Sequence, residues 1–79
     1  MIEVYLQINS SSNEYNCYHA VSNKFIQTLI PGDTFILISD EDDEEIPGRI
    51  EYHPFYGYYW IDSENSTQKK LTNNMRGYI

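Results

Sequence analysis

The chain has 79 residues, with twelve acidic and five basic side chains, a formal charge of −7, 41% apolar residues and one cysteine. This length supports one domain over residues 1–79, which buries only roughly 60% of its unfolded surface and leaves little room for an enclosed substrate cavity, so an enzyme is not the expectation. The charge repels DNA, RNA and anionic lipid, Cys17 has no partner for an internal disulfide, and no apolar run approaches the ~18 residues of a membrane span, which sets aside direct nucleic-acid and membrane roles.

Ile2, Val4, Leu6 and Ile8 recur with period two, which predicts a half-buried strand over residues 2–8 rather than a signal peptide, and with it a cytosolic protein. A polar connection over Asn9 to Glu14 leads to a second predicted strand, Tyr15 to Val21, with Tyr15, Cys17, His19 and Val21 on one face. Phe25, Ile26, Leu29 and Ile30 fit one helical face behind a Ser22 cap, so one short helix is allowed near residues 22–29 before the Pro31-Gly32 turn. Thr34 to Ser39 is almost continuously apolar and β-branched, as expected of a central strand covered on both sides. Six carboxylates, Asp40 to Glu45, then interrupt the pattern, and Pro47-Gly48 ends that loop.

Arg49 to Asp62 reads as a hairpin with a four-residue turn, Pro54-Phe55-Tyr56-Gly57. That register sets Ile50 opposite Ile61 and Tyr52 opposite Tyr59 on a core face. It sets Arg49 opposite Asp62, Glu51 opposite Trp60 and His53 opposite Tyr58 on the other. Lys69 to Leu71 and Met75 to Ile79 supply short closing strands around an Asn73-Asn74 turn, and no internal repeat is visible. The expected fold is all-β: a small antiparallel SH3-like barrel or a strongly bent sheet.

Gly48-Arg49-Ile50-Glu51-Tyr52, Gly57-Tyr58-Tyr59 and the closing Met75-Arg76-Gly77-Tyr78-Ile79 carry a resemblance. Over about the last 50 residues the chain resembles an uncharacterised family of short domains from Gram-positive bacteria and their mobile elements. Such domains share an Arg-Ile-Glu strand, a Tyr-Tyr strand after a tight turn, and a closing Gly-Met-x-Val-Arg segment. Here Asn74 stands where the family often has Gly, and Gly77 where it tends to have a β-branched residue. The resemblance implies a small β domain of mobile-element type and brings no catalytic residues with it.

Two constellations are candidates for function. Asp40, Glu41, Asp42, Asp43, Glu44 and Glu45, if extended, would place six charges along about 20 Å, close to the phosphate spacing of one DNA strand. A nucleic-acid mimic of this kind would compete for Lys and Arg side chains on a basic protein partner; the competing reading is a solvated loop. An EF-hand reading fails, because Glu45 occupies the sixth position, where such a loop needs Gly. The second constellation is aromatic: Phe55, Tyr58 and Trp60 are expected to point outward as anchors for a partner or a Pro-rich segment. Cys17 and His19 at i and i+2 lack the spacing of a zinc framework, and no cofactor site is expected. The combined expectation is a non-enzymatic inhibitor of a host nucleic-acid-processing or defence protein, with an SH3-like peptide adaptor or an assembly subunit as alternatives.

Overall fold

A computed structural model describes all 79 residues, Met1–Ile79, and contains eight strands and no helix, hence none long and apolar enough to cross a membrane. The strands are β1 (Glu3–Ile8), β2 (Tyr15–His19), β3 (Phe25–Thr28), β4 (Thr34–Ile38), β5 (Glu45–His53), β6 (Gly57–Asp62), β7 (Gln68–Lys70) and β8 (Arg76–Tyr78). They form one antiparallel sheet in the order β3-β2-β1-β8-β4-β5-β6-β7. Two meanders, β1 to β3 and β4 to β7, are joined by the last strand, which pairs with β1 on one side and β4 on the other. The sheet bends but does not close, since β3 and β7 remain unpaired edges; the closed SH3-like barrel is replaced by the bent sheet.

Every strand except β7 and β8 sends residues to a single core on the concave side, and segments beside those two strands supply Leu71 and Met75. Alternation does this in β1, where Val4 and Leu6 are buried while Glu3, Tyr5 and Gln7 face outward. The short helix near residues 22–29 does not form. Ile26 packs against the core and Phe25 stands out, a strand pattern, because β2 offers a ladder to Asn16, Cys17 and Tyr18. A helix there would leave that ladder unmade. The acidic interruption is also shorter than expected: β5 already begins at Glu45, and Pro47 sits within it, opposite Ile36.

The β5–β6 hairpin adopts a different register from the sequence-based one. His53 pairs with Gly57, Tyr52 with Tyr58, Glu51 with Tyr59, Ile50 with Trp60, Arg49 with Ile61 and Gly48 with Asp62. The turn has three residues, Pro54 to Tyr56, and Gly57 at φ 80° forms the left-handed bulge that such a turn needs, so it belongs to the ladder and not to the loop. A shift of one residue exchanges the faces of a strand. Trp60 therefore goes inward at 2% exposure, its indole N–H donating to Phe35 O at 2.9 Å, while Tyr59 and Ile61 turn outward. The expected Arg49–Asp62 pair is absent: Arg49 donates to Glu51 at 2.6 Å, and Asp62 caps the next turn.

A repeat invisible in the residues is plain in the turns. In the hairpins starting at Asn9, His19, Ser39 and Asp62, the first residue's N–H donates to the carbonyl of the sixth, the fifth residue's N–H donates back to the first, and the fifth has positive φ. In all four the first side chain also accepts the N–H of the third residue. One turn geometry is thus built from four different polar sequences.

Candidate functional site

Of the expected anchors, only Phe55 is fully exposed, at 89%; Tyr58 packs against the core margin and Trp60 is within it. The aromatic turn and the acidic turn also lie at opposite ends of β5, about 26 Å apart at ~3.3 Å per residue. The composite surface of acidic loop plus Phe55, Tyr58 and Trp60 therefore does not exist.

The acidic run is not extended either. Asp40 to Glu44 form the recurring tight turn, closed by Ser39 N–H to Glu44 O at 2.8 Å, so phosphate-like spacing along a straight strand does not occur. Side chains in the turn cap it: Ser39 Oγ accepts the Glu41 N–H and Asp42 Oδ1 accepts the Glu44 N–H. Asp43 reaches across to Arg76 on β8, whose guanidinium donates to its Oδ1 at 2.8 Å. On the other side, Glu44 and Glu45 border a shallow cleft of about 370 Å³ together with Asp62 and Glu64 of the β6–β7 turn.

The register brings other aromatics to this end of the molecule. On the convex face of the sheet, Tyr5 stands beside Tyr18, their rings stacked at 5.7 Å, and Tyr18 meets Phe25 edge-on at 6.0 Å. Across β8, Tyr78 lies between Glu3 and Ile36, and Ile36 opposite Pro47. Tyr5, Tyr18, Ile36 and Tyr78 are all half-buried, forming an apolar band rather than a covered core. Carboxylates crowd it. Desolvation first, then Glu45, Glu3 and Asp43, push the Tyr78 hydroxyl above its ordinary pKa, with Arg76 opposing. The hydrogen bond to Asp43, with Asp40 and Glu3 nearby, raises the Arg76 pKa in turn. The site that emerges combines Glu3, Asp40, Asp43 and Glu45 with Tyr5 and Tyr78. Glu3 and Tyr78 are far apart in sequence and only the β1–β8 pairing joins them, so no local signal marked them.

A second aromatic feature is a cleft of about 320 Å³ where the β1–β2 turn approaches the β5–β6 turn, lined by Ile8, Tyr15, Tyr52, Phe55, Tyr56 and Tyr58. His53 orders its tip: Nδ1 accepts the Phe55 N–H at 3.1 Å, and the imidazole stacks on Tyr56 at 4.4 Å. Desolvation, then Glu14 and Tyr52, raise the Tyr58 pKa.

Cys17 and His19 are committed to structure. Cys17 is fully buried, and burial first and Asp33 second push its thiol up to about 12, where it is a poor nucleophile at neutral pH. His19 Nδ1 accepts the N–H groups of Val21 and Ser22, which occupies the lone pair a metal would need. Comparison of the chain with known protein families, curated proteins and solved structures gives no match.

Proposed function

We propose that this is a non-enzymatic acidic binding protein that docks the basic surface of a protein partner through the convex face around Tyr78 and the β4–β5 turn. One observation carries the reading. The same turn geometry is made at residues 9–14 with Ser10, Ser11 and Ser12, and at 19–24 with Ala20, Val21 and Ser22. Asp40, Glu41 and Asp42 are therefore not needed to form the turn, and like charges side by side destabilise it. Asp40, together with Asp43, Glu45 and Glu3, stands beside a half-buried apolar band, the arrangement of a polar rim around an interface core. Carboxylates steer and orient a cationic partner, while Tyr5, Tyr18 and Tyr78 supply desolvated contact area.

A basic protein surface that normally holds nucleic acid is the partner chemistry that fits best, and the mobile-element resemblance favours an inhibitor of a cytoplasmic host nucleic-acid-processing or defence protein. The test is affinity capture from host lysate at low and high salt, repeated with Glu3→Gln, Asp40→Asn and Glu45→Gln combined. Capture of a basic protein that weakens with salt and vanishes with the triple variant supports the proposal. Equal capture by the variant overturns it.

A second reading rests on the cleft between the β1–β2 and β5–β6 turns, whose five aromatic rings suit an extended Pro-rich peptide. For that function Tyr56→Ala would abolish binding, and the acidic triple variant would leave it intact.

A further inference from the structure

The two open edges of the sheet differ in kind. β7 is three residues long, wholly exposed, and carries Lys69 and Lys70, the charged, short design that keeps an edge from pairing. β3 has no charge within Phe25–Thr28. Around it lie three of the molecule's large exposed apolar side chains: Val21 at 85%, Phe25 at 56% and Ile30 at 54%.

Charge placement says what could cover this edge. All twelve carboxylates lie outside residues 15–32, and Lys24 is the single ionic side chain in that stretch. A basic partner drawn to the chain gains nothing here. A second copy, repelled by the net charge of −7 elsewhere, meets no carboxylate at this edge.

We propose that β3 is the docking edge for a second copy of this chain, two β3 strands adding antiparallel about a two-fold axis to join the sheets. With the axis between Ile26 and Gln27, Phe25 faces Thr28 of the other copy and Lys24 faces its Leu29, so the two lysines do not oppose each other. Both are isologous contacts, as a two-fold requires. The irregularity where β3 passes Tyr18 shortens the regular ladder, and four residues per strand bury less than a standard interface, so association is weak and concentration-dependent. The convex acidic face of each copy stays free, and the inference is independent of the function proposed for that face.

Sedimentation velocity of the full chain over a wide concentration range tests it, with hydrogen exchange read at the same concentrations. The expected result is a monomer–dimer shift that strengthens with added salt, because screening relieves the repulsion between copies. β3 amides should gain protection as the dimer forms. Gln27→Glu combined with Ile30→Glu, both at exposed positions, should remain monomeric with an unchanged circular dichroism spectrum. Val21→Glu, in an exposed turn at the end of the edge, should weaken the dimer and serves as the second variant if the first misfolds. A wild-type chain monomeric throughout at high salt, a Glu variant that dimerises as wild type does, or protection gained at β7 instead of β3 would overturn the proposal.

Discussion

The β4–β5 and β5–β6 turns leave opposite ends of one strand, and they constrain the chain in opposite ways. The aromatic turn has a geometry only its own residues supply: Gly57 in the left-handed region and His53 bonded to the Phe55 N–H fix a three-residue loop. Through the register it decides which of β6's residues are inside. The acidic turn has a geometry that three other hairpins reach with other residues. Composition is therefore structural information at the first turn and chemical information at the second.

Two substitutions probe the structural role of the aromatic hairpin. Trp60→Ala removes a core indole beside its cross-strand neighbour Ile50, together with its bond to Phe35 O, and should cost about 3–5 kcal/mol in denaturant unfolding. An anchor on the surface would cost far less, so a small effect would contradict the inward register. Gly57→Ala forces a Cβ into a positive-φ residue and should cost about 1–2 kcal/mol. Nothing lies within reach of that Cβ, so the loss measures backbone strain alone.

The same division separates what one segment specifies from what only strand pairing decides. Strand periodicity in β1 and the apolar run of β4 are properties of single segments, and both were legible. The β5–β6 register was not, because a four-residue and a three-residue turn differ only in whether Gly57 is counted in the loop, and that one residue inverts Trp60, Tyr58 and Tyr59. The helical spacing of Phe25, Ile26, Leu29 and Ile30 is equally compatible with a strand and its exit, and the neighbouring ladder decided between them. Gly77 illustrates a longer-range constraint. It pairs with Val4 and Leu37 at once, and a Cβ there would collide with the Phe35 ring and the Ile36 carbonyl, which excludes any larger residue at this position. The acidic residues were found, but their partners Glu3, Arg76 and Tyr78 come from the two chain ends and meet only through β8.

Phe55→Ala sharpens the contrast from the exposed side of the aromatic turn. Its ring is free of the core, so stability should change by less than about 0.5 kcal/mol, and capture of a basic partner should be unaffected. Reduced capture would return the aromatic turn to the binding surface.

A substitution in the acidic turn should separate binding from stability. Replacing Asp40, Glu41 and Asp42 by Ser reproduces the Ser10-Ser11-Ser12 turn while keeping Asp43 for Arg76. A Ser at position 42 can accept the Glu44 N–H as Ser12 accepts that of Glu14, so the cap survives. Loss of like-charge repulsion offsets what remains, and the unfolding free energy should move by less than about 0.5 kcal/mol in either direction. Partner capture, by contrast, should fall sharply and lose part of its salt dependence. If stability drops while capture persists, the carboxylates serve the turn itself, and the chemical reading of this loop gives way to a structural one.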